Sequence, residues 1–154
     1  MDFEQLYEAN VDAVYGYLMF KLNDEQLAED ILQETFLAVH QGMQKNDEIS
    51  SPKAWLLSIA HNKMVDCLRK RRIVESGLDF EVAADLNENH SNVFLQEALG
   101  QLADTERTIV YGLYVEGLTC RELAQILALP EGTVKSKAHY ARKHLYHWLQ
   151  EGSK

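Results

Sequence analysis

The stretch LTCRELAQILALPEGTVKSKAHYARKHLYH, residues 118–147, decides how this chain is read. Thr119 and Glu122 stand at the spacing of a capping box, in which each side chain satisfies a backbone amide at the start of a helix, so a short helix is predicted to begin there. Leu123, Ala124, Ile126 and Leu127 form its apolar side, and Ala124 is the small residue that two steeply crossing helices need at their contact. Ala128-Leu129-Pro130 makes a turn, after which a long helix is predicted through Trp148. On that helix Val134, Ala138, Ala141, Leu145, Trp148 and Leu149 share a narrow arc and are expected to be buried. Lys135, Ser136, His139, Tyr140, Arg142 and Lys143 lie opposite, a basic face suited to a DNA major groove.

A formal net charge of -9 opposes a simple DNA-binding reading, because tight phosphate binding needs a positive field. The charge is segregated, however. Residues 1–50 carry eleven acidic side chains against Lys21 and Lys45, whereas residues 51–72 carry Lys53, Lys63, Arg69, Lys70, Arg71 and Arg72 against Asp66 alone. Residues 73–97 hold six acidic side chains and no Lys or Arg, and without a sustained helical period this segment reads as an acidic linker. From Ala98 onward seven basic residues face six acidic ones, with most of the basic ones between Lys135 and Lys143.

The 154 residues, 46% of them hydrophobic, suffice for one ordinary domain or two small ones. Two prolines and eight glycines, with Leu, Ala, Glu, Gln and Lys at helical intervals, predict an all-α fold of two small helical domains joined by a flexible acidic linker. Met1 is followed at once by acidic and aromatic residues, so neither a signal peptide nor a membrane span is expected, and the protein is placed in the cytoplasm. Cys67 and Cys120 read as small buried apolar residues. His144 and His147 share a helix face with no Asp, Glu or Cys read beside them, so no metal site is assigned. No catalytic triad, Gly-rich phosphate loop or paired carboxylate is recognised, so no catalytic residue, enzyme activity or cofactor is predicted.

In the first unit Asp2 is predicted to cap a helix whose apolar side is Phe3, Leu6, Tyr7, Val14, Tyr15 and Leu18, ending near Leu22 and Asn23. Asp24 caps a second helix with a stripe of Leu27, Ala28, Ile31, Leu32, Thr35, Phe36 and Val39. Asp30, Gln33, Glu34 and Leu37 line its other face, an acidic and amide surface on which a partner can dock. After a polar loop at residues 45–49, Ser51-Pro52 starts a third helix with a core of Leu56, Ile59, Ala60, Met64, Cys67 and Leu68. Asn62, Asp66 and Arg69 lie opposite, and the run Arg69-Lys70-Arg71-Arg72 closes that helix. The run complements the helix dipole; joined to the amide, acid and guanidinium groups, it also provides base-reading and phosphate-holding chemistry. In the second unit a helix over residues 92–102 precedes one capped by Asp104, with Ile109, Val110, Leu113 and Tyr114 toward the core and Gly117 at its end.

Three segments, AEDILQETF (28–36), PKAWLLSIAHNKMVDCLRKRR (52–72) and LTCRELAQILALPEGTVKSKAHYARKHL (118–145), occur in an order and separation that resemble bacterial RNA polymerase sigma factors of the extracytoplasmic function (ECF) group. The resemblance implies sigma domain 2 over residues 1–72, a linker over 73–92 that threads toward the polymerase cleft, and sigma domain 4 over 93–154 with its helix-turn-helix at about 119–143. It implies binding to the clamp helices and flap of core polymerase, with Asp30, Gln33, Glu34 and Leu37 on the clamp helices. The loop from Lys45 to Ser51, together with Asn62, Lys63, Asp66, Arg69, Lys70 and Arg72, falls where such factors melt and read the minus-10 element. Thr133, Lys135, Ser136, Lys137, His139, Tyr140, Arg142 and Lys143 fall at the minus-35 element. An anti-sigma protein is a further implied partner. Tyr140 stands where many members have Arg, and Lys137-Ala138 replaces a commoner Arg and larger aliphatic residue; tyrosine cannot make the bidentate guanine contact of Arg, so promoter preference should differ.

The residues leave two rivals: a stand-alone helix-turn-helix regulator that binds a symmetric duplex site by itself, and a helical adaptor whose basic patches bind acidic partners or RNA.

Overall fold

The computed structural model describes residues 2–42, 51–74 and 99–152. The chain divides into two compact units, Met1–Asp85 and Leu86–Lys154. The expected loop at residues 45–49, most of the acidic linker and the beginning of the helix expected at 92–102 lie outside the described residues.

In the first unit α1 (Phe3–Leu22), α2 (Glu25–Gly42) and α3 (Pro52–Val74) pack against one another. The Asp2 carboxylate accepts from the Gln5 amide at 2.9 Å, and the Gln5 side chain accepts in return from the Asp2 amide, so α1 begins with a full capping box. It ends where Asn23 turns left-handed, with φ at 49°, a conformation that Asn tolerates. Asp24 opens α2 by accepting from the Leu27 amide at 3.1 Å. α3 continues through Val74, two residues past the expected boundary at Arg72.

Burial corrects the predicted stripes. α1 touches both α2 and α3, so its buried face is broader and rotated: Leu6, Asn10, Val14, Tyr17, Leu18 and Lys21 are inside, while Tyr7 is exposed and Tyr15 half-buried. On α2 the prediction matches except for Leu32, which is half-buried. On α3 Ala54 and Leu57 join Leu56, Ala60 and Met64 inside, and Ile59, Cys67 and Leu68 are only half-buried. Buried polar groups are satisfied locally: Asn10 donates to the Leu6 carbonyl at 3.0 Å and Thr35 to that of Ile31 at 2.7 Å. One longer-range polar contact ties α1 to α3, between the Tyr17 hydroxyl and His61 Nδ1 at 2.7 Å.

In the second unit Leu99 and Gly100 are helical, followed by α4 (Asp104–Tyr114), α5 (Cys120–Leu127) and α6 (Glu131–Gly152). α6 packs on α4 and α5. Asp104 does not cap α4 as expected: Ala103 is the cap residue, and Asp104, the first helical residue, accepts instead from the mostly buried Arg107 at 3.0 Å. An acidic group there still suits the positive end of the helix dipole. Ile109 and Val110 are buried and Leu113 half-buried, but Tyr114, the last residue of α4, is 60% exposed. Gly117, at φ +66°, lets the chain double back so that the Leu118 amide donates to the Gly112 carbonyl at 2.9 Å.

Gly112 fixes how closely α4 and α5 approach. A Cβ at this position would lie 2.5 Å from Leu123 Cδ2 and 3.2 Å from its Cγ, and Leu123 is fully buried. Gly112→Ala gains helix propensity of about 1 kcal/mol. Overpacking costs about 1–3 kcal/mol, so a lower urea midpoint is expected; an unchanged midpoint would show that Leu123 has room to move.

Tyr111 donates to Glu116 at 3.1 Å. Burial first, and then the Glu116 carboxylate, push its phenol above the ordinary value of 10.0. The folded chain therefore holds a proton that the unfolded chain releases. This contribution to stability is complete below pH 10 and is lost as pH climbs toward the folded value. Urea titrations above pH 10 should show stability falling more steeply for the native chain than for Tyr111→Phe.

Candidate nucleic-acid interface

The second unit presents α6 through a helix-turn-helix whose joints are visible. Thr119 accepts from the Glu122 amide at 3.0 Å, and Glu122 accepts from the Thr119 amide at 2.9 Å, which is the capping box expected there. α5 ends at Ala128, held left-handed at φ 55°. The Pro130 carbonyl accepts from the Val134 amide at 3.1 Å to begin α6. Leu123, Ala124 and Ile126 are buried on α5, and Val134, Ala138 and Ala141 on α6. The expected burial does not extend along the whole helix: Leu145 and Trp148 are only half-buried and Leu149 is exposed, because burial fades after Ala141.

The outer arc is as open as a groove-entering helix requires. Lys135, Ser136, His139, Tyr140, Arg142 and Lys143 are exposed, Tyr140 at 63%. Thr133 and Lys137 lie on the flank of this arc and are half-buried, which leaves them less reach than their neighbours. Lys135 pairs with Glu131 at 3.5 Å, a surface pair weak enough to yield to phosphate. The Tyr140 ring stands edge-on to His139, with centroids 5.6 Å apart. Arg142 donates to the Tyr114 hydroxyl at 3.2 Å, a contact invisible in the sequence, where Tyr114 was expected in the core.

Behind Tyr140 a groove of about 460 Å³ is lined by Lys143, His144, His147 and Trp148, with Glu106 and Glu151. His144 and His147 thus do have carboxylates in their groove, contrary to the sequence reading. Among the described residues, however, no three His, Cys, Asp or Glu groups converge to hold a metal ion.

In the first unit Asp30, Gln33, Glu34 and Leu37 are all exposed along α2, with Leu37 at 56%. An exposed leucine amid acidic and amide groups is a contact surface with an apolar centre. Asp30 accepts from Gln26 at 3.0 Å. On α3 Asn62 and Asp66 are exposed, Lys63 is half-buried, and Arg69 pairs with Asp66. Lys70, Arg71 and Arg72 are exposed beyond them. Asn62, Lys63 and Asp66 line a groove of about 420 Å³ between α2 and α3, together with Trp55 and Ile59. Sequence reading missed Trp55, although it lies seven residues, close to two helical turns, before Asn62 on the same face. No described helix is long and apolar enough to cross a membrane.

Comparison with known proteins agrees with this arrangement. Residues 6–73 match the family description Sigma-70 region 2, and residues 98–147 match Sigma-70, region 4. The ECF RNA polymerase sigma factor SigL of Mycobacterium tuberculosis is 31% identical over 95% of this chain and 88% of its own length. The ECF RNA polymerase sigma factor SigX of Bacillus subtilis is 28% identical over 93% of this chain and 83% of its own. Among solved structures, the sigma factor RpoE in complex with the anti-sigma factor NepR from Bartonella quintana covers 97% of both chains with a TM-score of 0.72 at 24% identity. CnrH, in complex with the cytosolic domain of CnrY, covers 97% of this chain and 88% of its own with a TM-score of 0.66 at 26% identity.

Proposed function

Because the chain belongs to the sigma-70 family, among the ECF sigma factors, we propose that it joins core RNA polymerase and directs it to promoters by reading two elements with its two units. The observation that carries this reading is that one acidic chain exposes a docking stripe and a basic helix end in its first unit and a basic helix-turn-helix in its second. A stand-alone regulator needs the last of these alone.

Residues 1–72 act as sigma domain 2. Asp30, Gln33, Glu34 and Leu37 dock on the clamp helices of the largest polymerase subunit, with Leu37 as the apolar centre. Opposite this duty, Asn62, Lys63, Asp66, Arg69, Lys70 and Arg72 read and hold the minus-10 strand. Their exposure and the groove beside Trp55 support this, since an unstacked base finds there an aromatic face and polar groups for its edge. The segment 73–92 is the linker. Residues 93–154 act as sigma domain 4, which engages the flap and sets α6 in the major groove of the minus-35 element. Lys135, Ser136, His139 and Tyr140 reach base edges, while Arg142 and Lys143 hold phosphate, with Thr133 and Lys137 on the flank. The chain does no chemistry of its own: polymerase supplies catalysis, and this protein, in the cytoplasm, supplies address and melting. The net charge of -9 fits, because affinity for DNA is completed only in the holoenzyme. An anti-sigma protein is a further partner, in keeping with the relative solved with NepR.

The test is reconstitution. The chain should form a stable complex with core polymerase and start transcription at specific sites, and the free chain should bind duplex DNA weakly. Tight binding of the free chain to a symmetric site, with no core complex, would favour the stand-alone regulator. Glu34→Lys should weaken core binding by about tenfold or more, since like-charge contacts across an interface cost several kcal/mol; holoenzyme titration measures this. Tyr140→Arg should shift minus-35 preference toward guanine by about 1–3 kcal/mol per bidentate contact, read from competition between promoter variants.

A further inference from the structure

Tyr114 ends α4 with its ring 60% exposed, beside Val115 at 65%. Its polar contact among the described residues reaches across to another helix, where the hydroxyl accepts from Arg142 Nη1 at 3.2 Å. Arg142 follows Lys135 by seven residues and His139 by three, so these three side chains make one row along the outer arc of α6. Arg142 is the far member of that row, well past the first turns that reach base edges in groove-bound helices.

We infer that Tyr114 is a positioning residue for promoter binding: it holds the Arg142 guanidinium as a phosphate clamp at the rim of α6. The inference rests on the assignment of α6 to the minus-35 element. A free arginine side chain gives up much rotamer freedom when it binds, and a partner that already orders it lowers that cost. The guanidinium has five donors, and the phenol takes one of them, so the fork that matches two phosphate oxygens stays available. A carboxylate at residue 114 would hold the arginine too, but it would cancel the charge that phosphate needs. The neutral phenol orders without cancelling. Such a clamp acts on affinity and not on sequence, in contrast to Tyr140 on the same face.

The experiment uses holoenzyme reconstituted from core polymerase and the full chain, with promoter affinity measured against salt concentration. Tyr114→Phe keeps the ring and removes the hydroxyl; it should lower affinity roughly two- to fivefold, the worth of one modest hydrogen bond. The factor should be the same on promoters with altered minus-35 bases, and core binding and thermal midpoint should not change. Arg142→Ala should lower affinity further and reduce the salt slope by about one. With Arg142→Ala in place, adding Tyr114→Phe should change nothing more. Full affinity in Tyr114→Phe, an equal loss when Arg142 is already gone, or a loss that depends on the minus-35 sequence would each overturn the inference. So would an unchanged salt slope in Arg142→Ala. If the native chain forms no initiating complex with core, the sigma reading falls along with the clamp; an active holoenzyme indifferent to Tyr114→Phe removes the clamp alone.

Discussion

Gly112 allows α4 and α5 to approach until the Leu123 side chain fills the space where a Cβ would stand, and α6 packs on both of these helices. Leu123 is buried, as are Ala124 on the same helix and Val134 and Ala138 on α6, so a change in the spacing of α4 and α5 would be felt where α6 packs on them. Because the rotation of α6 decides which of its side chains face outward, a steric condition at one glycine bears on the exposed basic arc. In the first unit the Tyr17–His61 hydrogen bond ties α1 to α3 at the residue next to Asn62. A polar contact there does for orientation what close approach does in the second unit.

The distribution of charge follows from the division of labour. A chain with a uniformly positive surface would bind DNA without polymerase and occupy promoters unproductively. Here acidic groups cover the exposed face of α2, and exposed cations are concentrated at the end of α3 and on the outer arc of α6. Neither basic patch is large, which fits a sigma factor whose two units act together on polymerase. Linking two weak contacts in one assembly raises affinity through effective concentration.

Much of this was legible in the sequence wherever a local rule decides the outcome. The Thr119–Glu122 box, the Asn23 end of α1 and the α2 stripe depend on near neighbours only, and the structure bears them out. The reading failed where a distant neighbour decides. Periodicity put Ile59 inside and overlooked Leu57, because it cannot say that α1 and α2 both press on α3. It placed Tyr114 in the core, since pattern alone does not tell where a partner helix stops. Asp104 has the chemistry of a cap but stands one residue too late, and its carboxylate is taken by Arg107. The candidate site residues were picked out by their chemistry, whereas the grooves beside Trp55 and Tyr140 needed the fold, because a concavity belongs to two helices at once.

Burial along α6 ends at Ala141, while the helix itself continues to Gly152. The final turns rest on helix propensity and on the half-buried Leu145 and Trp148, so they are expected to open at lower cost than the turns from Val134 to Ala141. Rigidity and motion are thereby sorted along a single helix. Lys135, Ser136, His139 and Tyr140 of the exposed basic arc lie in the anchored stretch and Arg142 and Lys143 follow directly after it, so fraying of the last turns would leave the register of the arc unchanged.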